Sequence, residues 1–175
     1  FSTQGSSGGP VGLINVDLIE NVDFISAAFP SNRGNTLSSV FEFSQKRPNK
    51  EKFNTSFTLG SSDLALLVDA PISKNSGIIF SARKSYLQFL FKALQLPFLP
   101  EYNDIQFKYL NKLSDKSELV IIGLGAIDDF SLNQGANDGV DDLETIERNQ
   151  YILDYIPVQK QWNYTIGAHY KYFSE

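Results

Sequence analysis

The chain has 175 residues, 42% hydrophobic content and 15 basic against 20 acidic side chains, a net charge of −5. That is enough for a sizeable folded unit, without the basic field that nucleic acid requires. It contains no Cys, which excludes disulfides, thiol catalysis and thiolate metal sites. No apolar run reaches the roughly 18 residues of a transmembrane helix, which leaves membrane strands open because they cross by alternation.

The chain starts at Phe1 and has no Met, so it reads as a segment cut from something longer. Its opening, "STQGSSGGPVG" (2–12), is punctuated by Gly and Pro and is expected to be loop. A phosphate cradle is not expected there: the Lys-Ser/Thr ending of a P-loop and the strand and helix of a dinucleotide fold are missing. "NVDFISAAF" (21–29) and "SSVFEFSQK" (38–46) are short strand candidates across the turn "PSNRGNT". Residues 1–50 form a small, mixed, loop-rich region.

From Phe53 onward a period of two is sustained over six segments. The first apolar row is Phe53, Phe57 and Leu59 with Thr55, and the second is Leu64, Leu66, Val68, Ala70 and Ile72 with Asp63 and Asp69 opposite. Ile78, Phe80 and Ala82 stand against Ser81 and Arg83, and Ile105, Phe107 and Tyr109 against Gln106 and Lys108. Val120, Ile122, Leu124 and Ala126 stand against Gly123 and Gly125. The last stretch, "WNYTIGAHYKYF" (162–173), places Trp162, Tyr164, Ile166, Ala168, Tyr170 and Tyr172 in one row and His169 and Lys171 in the other.

The connections alternate in length. "SKNSG" (73–77) and "SDKS" (114–117) are tight turns, whereas 86–103 and 131–160 are long; only "GSS" (60–62) is short on the long-loop side. Short turns on one rim and long loops on the other is the arrangement of outer-membrane barrels. "YLQFLFKALQLPFLP" (86–100) predicts a helix of two to three turns closed by Pro97, and a second helix is expected near 142–153. The acidic stretch "NDGVDDLE" (137–144) fails the EF-hand spacing, because Gln134, Ala136 and Thr145 fall where ligands belong. Asp138, Asp141 and Asp142 are the side chains that an irregular Ca²⁺ site would have to use.

In this order of parts the chain resembles the TonB-dependent outer-membrane receptors, in the form found in the Bacteroidetes group. "LIENVDF" (18–24), "AAFPSNRGN" (27–35) and "LSSVFEFSQK" (37–46) are similar to the motif that ends the family's plug domain. Arg33-Gly34 stands where Tyr-Gly is frequent, Ser38-Ser39 where two Gly are frequent, and Ser26 where many members carry Arg.

The resemblance implies a mainly β fold in two parts: residues 1–50 as the C-terminal part of a plug domain, and 51–175 as about six strands of an incomplete transmembrane antiparallel β-barrel. It implies a Gram-negative outer-membrane transporter for a scarce nutrient such as an iron chelate, a cobalamin, an oligosaccharide or a peptide. Its partners would be the TonB complex, through a segment upstream, outer-membrane lipid and an extracellular ligand, with room for a surface lipoprotein. No cofactor, catalytic residue or metal ligand is expected. Plug-to-barrel contacts are expected at Arg33, Glu42 and Arg83, and His169 and Lys171 are expected to face the lumen. The competing expectation is a soluble β-barrel or β-sandwich that holds a small apolar ligand, with the even-numbered row of the last strand turned inward.

Overall fold

The computed structural model describes residues 13–26, 29–34, 36 and 38–174, so the Gly-rich stretch 5–12 lies outside the described residues. The described fold is mainly β and antiparallel. A 3-10 turn, Val16–Leu18, leads into β1 (Ile19–Ser26), which pairs with β2 (Ser39–Gln45) as a two-stranded sheet. The second sheet is a six-stranded meander of β3 (Asn54–Leu59), β4 (Asp63–Ser73), β5 (Ser76–Ser85), β6 (Phe98–Ser114), β7 (Ser117–Leu132) and β8 (Gln159–Tyr172), each paired with its chain neighbours. No described helix is long and apolar enough to cross a membrane, which has no bearing on strands.

Register shows which side chains share a face. One row across the sheet is Thr55, Val68, Phe80, Phe107, Gly123 and Ile166; the next is Phe57, Leu66, Ala82, Ile105, Gly125 and Tyr164; a third is Leu59, Leu64, Lys84, Asn103, Ile127 and Trp162. Cross-strand partners point to the same side. The apolar rows expected for β3, β4, β5, β6 and β8 therefore coincide on one face, called the outer face below.

β7 corrects the expectation. Its even row, Val120, Ile122, Leu124 and Ala126, pairs with Leu110, Lys108, Gln106 and Asp104 and so lies on the opposite, inner face. The outer row of β7 is Leu119, Ile121, Gly123, Gly125 and Ile127. Gly123 looks like a polar-side position in the sequence, but the Phe107 ring lies over it: a Cβ there would fall 2.1 Å from Phe107 Cε1.

The two faces differ in exposure. Phe57, Leu59, Leu66, Ile105, Ile127, Trp162, Tyr164 and Ile166 are exposed on the outer face, while Ser81, Asp104, Gln106 and Asp128 are buried on the inner one. Trp162 and Tyr164 stack in parallel at the long-loop end, their centroids 5.8 Å apart.

The two tight turns are built alike. In each, the first Ser hydroxyl accepts from the amide two residues on and lies 2.7 Å from the hydroxyl of the last Ser: Ser73 with Ser76, and Ser114 with Ser117. At the other end, β6 and β7 run beyond the alternating segments, and Phe98 stacks on Phe130. Helix α1 (Leu87–Ala93) packs there, with Phe91 edge-on to Phe98. The second long connection carries α2 (Leu143–Tyr155), capped by Asp142.

Candidate functional site

The inner face holds the N-terminal region through a four-residue square. Ser81 and Arg83 alternate on β5, Gln106 and Asp104 stand directly opposite them on β6, and strand geometry turns all four to one side. Arg83 Nε donates to Asp104 at 2.9 and 3.1 Å, and Gln106 Nε2 donates to Asp104 Oδ1 at 3.0 Å. Held in this way, the two donors converge on one backbone atom. Leu13 O accepts from Arg83 Nη2 at 2.8 Å and from Gln106 Nε2 at 2.7 Å.

Asn15 completes the contact. Its Nδ2 donates to Ser81 Oγ at 2.6 Å, its backbone N–H donates to Gln106 Oε1, and its Oδ1 caps the 3-10 turn by accepting from Asp17 N–H. Asn15, Ser81, Asp104 and Gln106 are all buried, so each hydrogen bond offsets a desolvation cost that would otherwise stand alone. The Arg83 and Asp104 side chains are 9% and 3% exposed. A pair this deep is costly to break from one side only.

Residues 45–49 are tied to the same face nearer the tight turns. Lys108 Nζ donates to Gln45 O at 2.8 Å, Arg47 pairs with Glu118 at 2.6 Å, and Asn49 N–H donates to Asp69 Oδ1 at 2.7 Å. The approach is close enough to require glycine at 77, where a Cβ would stand 2.7 Å from Asn49 O and 2.9 Å from Pro48 Cβ. Between these two attachments lies a cleft of about 780 Å³, with Leu13, Ile14, Ile19 and Phe43 on one side and Val120, Ile122 and Leu124 of β7 on the other.

The expected site residues fall in three places. Arg33 and Glu42 form an ion pair with each other inside the N-terminal region, and the hydrogen bond and charge of Arg33 hold the Glu42 carboxyl below the usual carboxylate range. Arg83 belongs to the square. His169 and Lys171 are exposed on the inner face of β8, opposite Val120 and Glu118, and His169 borders the cleft. Sequence reasoning missed Asn15, Ser81, Asp104 and Gln106, because a bond to a backbone carbonyl leaves no spacing to read.

On the long-loop side the acidic stretch does not gather. Among the described residues no group of three His, Cys, Asp or Glu side chains could hold a metal ion. Asp142 instead accepts from Thr145 Oγ1 and Thr145 N–H, and those bonds keep its carboxyl below the ordinary range.

The two long loops are fastened to each other. Asn133 Nδ2 donates to Leu96 O, Asn133 N–H donates to Pro97 O, and Gln95 Nε2 donates to Asp138 O at 2.8 Å. Gln95 sits at φ 54° just past α1, where the amides of Gln95 and Leu96 close the helix onto Lys92 O and Phe91 O, a position that usually takes Gly. The left-handed backbone costs about 1–2 kcal/mol for a residue with a Cβ. The side-chain bond across the loops offsets part of it.

Comparison of the chain with protein-family models, curated proteins and solved structures gives no match. What the site can do rests on its geometry.

Proposed function

We propose that the chain is the end of a plug domain and the first strands of a TonB-dependent transporter in a Gram-negative outer membrane, moving a scarce nutrient through a plugged barrel. The observation that carries this reading is the inverted solvation of the six-stranded sheet. An outer face that is apolar but for Lys84 and Asn103 near the long loops is exposed, with Trp162 and Tyr164 at one end and Tyr170 and Tyr172 at the other, while the opposite face carries the buried polar square and is occupied by the N-terminal region. Lipid is the solvent that suits such a face, and aromatic rings favour the two interfaces of a bilayer.

In this reading the long loops face outward and receive the nutrient. The square of Ser81, Arg83, Asp104 and Gln106 keeps residues 13–15 on the wall at rest, and energy delivered through TonB loosens that attachment. Hydrogen bonds between segments, unlike a large shared core, can open locally at modest cost. The soluble alternative would bury the even-numbered row of β8, whereas the N-terminal region sits against the other face.

Fractionation of cells that carry the intact parent protein tests the proposal. The protein should sediment with the outer membrane and need detergent to stay monodisperse, and its uptake of nutrient should stop when the inner-membrane proton gradient is collapsed. A parent protein that is monodisperse in aqueous buffer would remove the reading.

A further inference from the structure

The fastening of the two long loops leaves a second cleft, of about 440 Å³, between them. Leu94, Leu96, Pro97 and Phe98 form one wall, and Val140 and Ile152 face them. The frame is packed and hydrogen-bonded: Ala136 is fully buried, Asn149 is 2% exposed, and Asn149 Nδ2 donates to Asn137 Oδ1 at 3.0 Å. The strained backbone of Gln95 lines the same cleft. Strain retained in a hydrogen-bonded frame is characteristic of ligand-holding segments.

Among the described residues, Arg148 is the one ionisable side chain that lines the cleft. The nearby Asp142 carboxylate, whose lowered range owes most to its bonds with Thr145 and least to the charge of Arg148, is already bonded to Thr145. A cleft of this volume with apolar walls and one exposed cation at its lining has the form of a small-molecule site. We propose that the cleft binds a small organic anion, one carboxylate on a flat apolar body, with the acid on Arg148 and the body against Leu96, Phe98 and Ile152. The proposal does not depend on the transport reading, since the cleft belongs to the loops wherever the sheet resides.

Titration calorimetry of the intact parent protein with indole-3-acetate and, separately, its neutral amide is the test. Wild type should bind the acid saturably and at least tenfold more tightly than the amide, because a guanidinium–carboxylate bond outweighs a neutral one. Arg148→Gln should remove that preference. Val140→Trp, which fills the cleft, should abolish binding of both probes while α2 keeps its hydrogen-exchange protection. Equal binding of the two probes, binding that survives Val140→Trp, or no saturable binding of the acid to wild type would each overturn the proposal; if Val140→Trp unfolds α2, Arg148→Gln alone decides.

Discussion

β7 and β8 are paired along nearly their whole length, yet they carry their chemistry differently. β8 is apolar on its outer row and polar on its inner row, where Asn163, Thr165, His169 and Lys171 stand. β7 is apolar on both, with Leu119, Ile121 and Ile127 outside and Val120, Ile122 and Leu124 inside. A strand between solvent-like surroundings on one side and lipid on the other needs only one apolar row. The second row on β7 coincides with Leu13, Ile14, Ile19 and Phe43 across the larger cleft. The sheet thus faces the N-terminal region in three ways: by a buried polar square on β5 and β6, by the ties of Lys108, Glu118 and Asp69 to residues 45–49, and by an apolar wall on β7 across the cleft.

Breaking the polar side should have the largest effect. Arg83→Ala leaves Asp104 buried without its partner, a change that costs about 3–5 kcal/mol in comparable pairs. Denaturant unfolding should register it, together with faster hydrogen exchange at the Asn15 amide. Arg83→Met with Asp104→Leu should recover most of the stability but not the full protection at Asn15, because Leu13 O would keep only Gln106 of its two donors.

On the membrane reading proposed above, Ile166→Lys on the outer face of β8 should impair assembly by about 2–4 kcal/mol, the cost of a cation near a bilayer midplane. His169→Lys, three residues along on the inner row, should leave assembly near wild type. Comparing the folded fraction of the two variants in outer-membrane preparations checks the pair, and equal tolerance would mean the strand is inside out.

The outer face of β7 offers a smaller change. Gly123→Val must displace the Phe107 ring, and overpacking of this kind costs about 1–3 kcal/mol. Gly125→Ala should be milder, since the nearest atom to a Cβ there is Asn163 O at 3.8 Å.

The smallest effect is expected in the loops. The Asp142 carboxyl titrates below its ordinary range when folded, so its support of α2 is fully present above the ordinary carboxylate range and is lost as pH falls through the lowered folded value. The protection factor of the Thr145 amide, its exchange relative to the unstructured rate at the same pH, should therefore fall on acidification. Asp142→Asn, which keeps an acceptor for the helix amides, should remove that pH dependence.

Much of this fold is legible in the alternation. Five of the six apolar rows lie on one face as read, and the long connections hold helices where "YLQFLFKALQ" and residues 142–153 suggest them. β7 resists because a period of two cannot choose between two apolar rows, and Gly123 and Gly125 make the outer row look like the polar one. β6 begins at Phe98, before the segment read as strand, because Pro100, Glu101 and Asn103 interrupt the alternation while the backbone continues to pair with β7. The square is legible but for Asp104. Ser81, Arg83 and Gln106 show on the polar rows, but the acceptor that Arg83 and Gln106 share is a backbone atom, and Arg33 and Glu42 pair with each other.

The central claim is that the even-numbered row of β8 meets lipid. The chain has no Cys, so nitroxide labels can be placed singly from 162 to 171 in the reconstituted parent protein once any Cys elsewhere in it is replaced. Collision rates with oxygen, which partitions into lipid, and with a water-soluble nickel chelate then report each position's solvent. Oxygen accessibility should peak at 162, 164, 166, 168 and 170 and chelate accessibility at the positions between. The reverse alternation, or chelate access at every position, would contradict the claim.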